Sequence, residues 1–332
     1  MSKENKLLKE VFTFGHTLTG LVKDPPDNRD YKFSTIMKKK GLLKAVKKKV
    51  KKYVKPERGK YRKPHLKKSL ETVDVVEYVP TESFILNSPS FVDHSANMSS
   101  VKNQGDRGTC VGFAACALKE CQEKVEHDRE VSQGKVYGAG GKTYDYSEQW
   151  LYWYCKQIDE YEGEGTYIRA AMKVLNKRGV PLEDAWPYTD DPINIGEPKN
   201  WAGLIARWAM IGSYWSIDNL TELKTALIDS PCLIGIPIFR EWANPPHGKI
   251  DYPANPNESY GGHAVCVVGY DDNKQLIKFK NSWTKYWGDL GYGYLPYRYI
   301  RDFLWSGWAA RDIVVTKDML DGPDHILTPL EW

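Results

Sequence analysis

The sequence predicts an α+β domain behind a basic N-terminal extension. Three observations carry that reading. Segments with helical periodicity gather between residues 110 and 230, and apolar, strand-like runs gather after residue 230. Residues 1–70 hold 22 of the 47 Lys and Arg but only 6 of the 43 Asp and Glu, a net +16 against −12 for the remainder. A chain of 332 residues can bury a substantial core. The texture changes near Phe91, which divides the chain into an extension over residues 1–90 and a folded domain over residues 91–332.

In chain order, "DPPDNRDYKF" (Asp24 to Phe33) is turn-rich and extended, because two prolines fix φ and remove donors. "IMKKKGLLKAVKKKVKKYVK" sets Leu42, Leu43, Val46, Val50, Tyr53 and Val54 at near-helical spacing among lysines. This predicts a cationic amphipathic helix, interrupted at Gly41 and ended by Pro56. Three roles stay open for it: a solvated tail, an arm that docks on the acidic domain, or a contact with an anionic surface. Residues 57–90 read as a linker that becomes extended towards Pro80. Helices are expected over Cys110 to Val125, Ser147 to Glu160, Thr166 to Gly179 and along "NLTELKTALIDS". "CLIGIPIF", "GHAVCVVGYD", "QLIKFKNSW" and "GYGYLPY" read as strands separated by Gly, Asp and Asn turns.

No run approaches the ~20 apolar residues of a transmembrane helix. Met1 to Val22 has no small-residue cleavage site after its apolar stretch, so a cytoplasmic location is expected. The six cysteines are scattered without a C-x-x-C pair, which suggests free buried thiols and not a disulfide framework. Paired ligands and carboxylate clusters are missing from the pattern, so no metal and no cofactor are expected.

"VKNQGDRGTCVGFAACALKE" delivers Cys110 to the start of an apolar helix. A thiol attacks as the thiolate, which a helix N-terminus and a nearby imidazolium both favour. Taken alone, Cys110 is as readily a buried structural thiol. Of the seven histidines, His263 is the one set in an apolar strand behind two glycines. Asn281 follows 18 residues later among apolar and aromatic neighbours, suited to accept the imidazole's other N–H and fix its tautomer. Trp283 is placed to cover that bond.

The order Cys110, His263, Asn281, with His263 lying 153 residues after Cys110, resembles the papain-type (C1) cysteine peptidases over about Phe91 to Ala310. The resemblance implies a papain-like two-subdomain fold, with a helical N-terminal half and an antiparallel, barrel-like C-terminal half. It implies Cys110 as nucleophile, His263 as general base and acid, and Asn281 as the residue that orients His263. Gln104, six residues before Cys110, would hold the oxyanion together with the Cys110 backbone N–H. Substrate-binding roles are implied for Gly163, Gly165, Gly262, Trp283 and Trp287, the glycines offering backbone to an extended polypeptide. "SEQ" (Ser147 to Gln149) matches the family's helix motif. The implied activity is that of an endopeptidase, which hydrolyses peptide bonds through a thioester.

The chain also departs from the pattern. The family's C-G-[SA]-C-[WY] reads "RGTCV" here. Arg107 stands where secreted members carry a disulfide cysteine, and Val111 where they carry an aromatic residue. Gly262 precedes the histidine where some members carry Asp. "PPDNRDYKF" is similar to the leader of divergent, mostly microbial members, and no long helical inhibitory propeptide is recognisable. A transamidase or cyclase would use the same triad with an amine in place of water. A non-catalytic protein acting through the basic arm would not need the triad at all.

Overall fold

The computed structural model describes residues 19–27, 30–41, 43–54, 69–80, 88–134, 144–193, 195–199 and 201–312. They group into two units. One takes in the leader up to Phe33 together with everything from Pro89 onward, and the other is Ser34–Ser88.

The smaller unit holds most of helix α1 (Phe33–Lys39) and an antiparallel hairpin of β1 (Leu43–Val54) and β2 (Ser69–Pro80). The expected cationic helix is therefore a strand from Leu43 onward. Helical spacing would stack Lys44, Lys48 and Lys52 one turn apart with like charges repelling. The hairpin register instead sets Lys49 opposite Asp74, Lys52 opposite Glu71 and Val50 opposite Val73. Of the expected linker, residues 69–80 are this second strand, while residues 57–68 and 81–87 lie outside the described residues. Ser34–Ser88 carries 16 Lys and Arg against 5 Asp and Glu, so it accounts for most of the extension's positive charge.

The larger unit is one sheet with helices on both faces. Its helices are α2 (Cys110–Ser132), α3 (Glu148–Lys156), α4 (Ile168–Lys177), α5 (Ala202–Ala206), α6 (Leu220–Leu227) and α7 (Tyr297–Phe303). Local chemistry sets several ends. The Ser147 hydroxyl accepts from Trp150 N (3.0 Å) to cap α3, and the Asn219 side chain accepts from Glu222 N (3.0 Å) to cap α6. Helix α4 stops where Gly179 takes φ +72°.

The strands are β3 (Phe91–Asp93), β4 (Ile211–Ser216), β5 (Cys232–Ile238), β6 (Gly261–Asp271), β7 (Leu276–Lys280), β8 (Tyr292–Pro296) and β9 (Ser306–Asp312). They run antiparallel in the order β4-β9-β5-β6-β7-β8, and β3 pairs the far end of β6. Among the described residues β4 and β8 end the order and do not pair with each other, so the C-terminal half is an open sheet and not the barrel-like closure expected. Both faces of the sheet are covered by apolar cores. Along β6, Ala264, Cys266 and Val268 face the helical core with Trp150, Leu151 and Leu175. Val265 and Val267 face a second core built around Trp242, Phe279, Trp283 and Trp287. Period-two alternation thus feeds two cores from one strand, which is why β6 reads as continuously apolar.

A Cβ on Gly179 would sit 1.9 Å from the Ala206 carbonyl oxygen, in a left-handed conformation that L side chains resist. Gly179→Ala is expected to cost about 2 kcal/mol or more of stability. Urea denaturation checks this, and an unchanged midpoint would refute it.

Candidate active site

Cys110 is the first residue of α2, and twelve consecutive residues from it to Cys121 are buried. The small side chains Ala114, Ala115, Cys116 and Ala117 let this half of the helix lie close against the sheet. As a result the Ala264 N–H reaches Cys110 Sγ at 3.4 Å. His263 is the preceding residue on β6, opposite Ile236 of β5. Asn281 follows directly on β7, whose Lys280 is paired with Cys266. Cys110, His263 and Asn281 therefore converge from α2, β6 and the end of β7.

His263 Nε2 lies 2.8 Å from Asn281 Oδ1. The same oxygen accepts from Ser282 N at 2.9 Å. A backbone N–H can only donate, so it identifies Oδ1 as the carbonyl oxygen and makes His263 Nε2 the protonated nitrogen. Nδ1 is then the ring's basic nitrogen, and it is buried without a hydrogen-bond partner among the described residues. Trp283 stacks on the imidazole with centroids 4.5 Å apart, and Trp242 meets it edge-on at 5.9 Å. Trp287 is buried behind them, its Nε1 donating to the Trp242 carbonyl at 2.9 Å. These tryptophans form the wall behind His263. Trp242 lies in a segment with no motif to announce it, and the sequence reading missed it.

Gln104 enters from the loop before Cys110, anchored by its N–H to the Ser282 carbonyl at 2.9 Å. Its side chain is held at both ends. Oε1 accepts from Ser282 Oγ at 2.6 Å, and Nε2 donates to the Arg107 carbonyl at 2.9 Å. Ser282 thus touches both Gln104 and Asn281, a role the sequence reading did not assign although it stands inside "NSW".

The groove beside Cys110 is filled by the chain's own leader. Thr166 N donates to the Gly20 carbonyl (2.8 Å) and Val22 N to the Thr166 carbonyl (2.9 Å), while Gly20 N and Leu21 N both reach the Gly262 carbonyl (3.2 and 3.1 Å). Leu21 is parallel to Thr166 and antiparallel to Gly262. Both flanking glycines are required by this approach. A Cβ on Gly165 would lie 2.6 Å from the Gly20 oxygen, and one on Gly262 would lie 2.6 Å from the Leu21 oxygen. The Leu21 side chain is buried against Ile168 and the bare face of Gly235. Gly163 packs instead against Tyr161 and gives its carbonyl to Lys156 Nζ at 2.8 Å.

Beyond Val22 the leader is tied down by acid groups. Asp24 Oδ2 accepts from Trp308 Nε1 (2.8 Å) and from the Ser306 hydroxyl. Arg169 reaches Asp27 (3.3 Å), Asp30 (3.7 Å) and the Pro25 carbonyl. The leader's ion pairs run both ways: its Asp27 and Asp30 meet Arg169, while its Lys32 meets Asp218 at 3.0 Å.

Covered this way, Cys110 and His263 have no exposed surface. Burial pushes the Cys110 thiol up to about 11, outweighing the N–H groups of Ala264, Gly20, Val111 and Cys110 itself, which favour the thiolate. Burial likewise draws His263 down to about 4, against the bond to Asn281. The helix start alone therefore does not make a reactive thiolate here. All six cysteines are free and buried. Behind Asn281, a small cavity is lined by Lys102, Glu120, Glu148, Lys280 and Ser282. Burial raises Glu148 to about 8, opposed by Lys102 2.8 Å away.

A profile of papain family cysteine proteases matches residues 88–301. Among curated proteins, the chain is 28% identical over 216 residues to an uncharacterised peptidase C1-like protein of Acanthamoeba polyphaga mimivirus, covering 60% of this chain and 65% of that one. It is 27% identical over 246 residues to cysteine proteinase 1 of Dictyostelium discoideum, covering 68% and 65% respectively. The chain thus spans about 65% of the length of these relatives. Xylellain, a cysteine protease from Xylella fastidiosa, shares the fold with a TM-score of 0.65 at 22% identity, over 90% of this chain and 97% of that one. Among the described residues no helix is long and apolar enough to cross a membrane. With the family profile covering well over half of its length, the chain belongs to the papain family of cysteine proteases.

Proposed function

We propose that this chain is a cysteine endopeptidase held latent by its own leader. The observation that best supports a polypeptide substrate is the leader itself. Its backbone occupies the groove through four main-chain hydrogen bonds to Thr166 and Gly262, a mode of capture that accepts any extended peptide. With the leader displaced, His263 Nδ1 takes the Cys110 proton and the thiolate attacks the scissile carbonyl carbon. Gln104 Nε2–H and the Cys110 N–H receive the oxyanion. The C–N bond breaks, His263 returns the proton to the leaving amine, and a thioester remains. Water, deprotonated by His263, then attacks the thioester and releases the acid.

Cys110→Ala and His263→Ala are expected to lower peptide turnover by at least about a thousandfold, with melting temperatures near the parent's. Asn281→Ala should lower it less, because the imidazole remains but its tautomer and plane are unpinned. Turnover that survives Cys110→Ala would refute the assignment. A peptide amide formed from an added amine, with no acid product, would favour transamidation instead.

The leader generates a second expectation. With a thiol near 11, only about one Cys110 in ten thousand is a thiolate at pH 7, so alkylation of the full chain should be slow. Leu21→Asp places a charge in the Gly235–Ile168 pocket and should speed alkylation at least tenfold. An unchanged rate would show that the leader does not govern access.

The pH dependence of release follows by linkage. His263 sits near 4 when covered and returns towards its ordinary value of about 6.5 when water reaches it. Protons therefore bind the open state preferentially. Lowering the pH from about 6.5 to about 4 should favour leader release by up to roughly two orders of magnitude, with no further gain from this group below that. Protease nicking of the leader as a function of pH measures this, and a flat profile across that window would contradict it.

A further inference from the structure

Arg107 is buried, yet among the described residues no carboxylate lies within ion-pair distance of its guanidinium. Taking a cation out of water is costly unless other groups compensate. Here they are neutral. Nη1 donates to Gln149 Oε1 at 2.7 Å and to the Thr189 carbonyl at 2.5 Å. The rings of Tyr152 and Tyr188 face the guanidinium at 5.4 and 5.2 Å. The side chain is thus locked between α3 and the segment that follows Trp186.

The backbone of the same residue carries the other half of the contact. The Arg107 carbonyl accepts from Gln104 Nε2 at 2.9 Å and from Thr109 N at 2.8 Å. Tyr188 adds a parallel tie, its hydroxyl donating to the Gln104 carbonyl at 2.7 Å and lying 2.8 Å from Thr109 Oγ1. Gln104 Oε1 is already taken by Ser282. One N–H of the Gln104 amide is therefore spent on Arg107, and its direction sets that of the second.

We propose that Arg107 is a positioning residue for acyl transfer: its clamp between Gln149, Thr189 and the two tyrosines aims the Arg107 carbonyl, and that carbonyl aims the free Gln104 N–H at the oxyanion. The inference rests on the peptidase reading above. Arg107 touches neither α2's thiol nor the imidazole on β6, so its loss should affect oxyanion stabilisation and leave the Cys–His pair alone. Alkylation of a thiol by a small haloamide builds no oxyanion, and so it reports on that pair by itself.

The test compares wild type, Arg107→Met, Gln104→Ala and the double variant as full chains, under conditions in which the wild type turns over a peptide. Rates are normalised to alkylatable Cys110. Arg107→Met should lower kcat about 10- to 100-fold with KM changed less than about threefold. The haloamide rate and its pH profile should stay within about twofold of wild type. The double variant should be no slower than Gln104→Ala, because both changes remove one function. Tyr188→Phe keeps the ring but deletes the hydroxyl. It should show a smaller loss of the same kind, and it carries the test if Arg107→Met does not fold. A parallel loss of alkylation, a defect confined to KM, or multiplicative losses in the double variant would overturn the inference. So would an unaltered Arg107→Met in the presence of active wild type, which leaves the peptidase reading standing. A wild type that turns over no peptide overturns both.

Discussion

The close seam between α2 and β6 is the constraint on which the rest of the site depends. Cys110 opens α2, Ala264 lies on β6, and the N–H of the second reaches the sulfur of the first. A run of alanine and cysteine side chains permits that approach, since a larger residue at Ala114 or Ala117 would push the helix off the strand. Once the seam is set, His263 needs no further placement, being the residue before Ala264. Asn281 is brought alongside by the β6–β7 pairing, which turns a separation of 18 residues into a hydrogen bond of 2.8 Å. Tautomer, ring plane and shielding follow from Ser282 and the tryptophans behind.

The same strand also supplies the edge that receives the leader. Gly262 stands beside His263 and presents its carbonyl to Gly20 and Leu21. The residue pattern that places His263 therefore also places the groove. A Cβ at Gly165 or Gly262 would collide with the incoming backbone, so these glycines serve close approach and not flexibility. The covered site is electrically quiet, with thiol and imidazole both neutral over the ordinary pH range. The burial that closes off both groups is also what raises the thiol and lowers the imidazole.

Much of this was legible in the residues. The helices at Cys110, Ser147 and Thr166 and the strands from Cys232 onward carry periodic patterns, and the structure has them, the first helix running on from the expected Val125 to Ser132. Cys110, His263 and Asn281 stood out because their local contexts are unusual, whereas Gln104 was named only by the family resemblance. The polar loop with glycines before Cys110 and the glycine pair before His263 have no obvious packing purpose. What failed to read shares one property. The lysine-rich stretch after Gly41 has spacing that fits a helix, and only the partner strand at Ser69–Pro80 makes it a strand. β4 and β9 carry weaker patterns, and pairing makes them strands: β9 lies between β4 and β5.

The sequence by itself determined the chemistry: which thiol, which imidazole and which amides are present, and the local elements that hold each one. Those depend on neighbours within a few residues, where periodicity and capping act. Only the tertiary structure decided that the leader lies in the groove, that Arg169 and Trp308 hold it, and that Arg107 is clamped by Gln149 and Tyr188. Each of those contacts joins residues tens to hundreds apart, and no local pattern encodes a pairing whose energy appears only when the chain has closed.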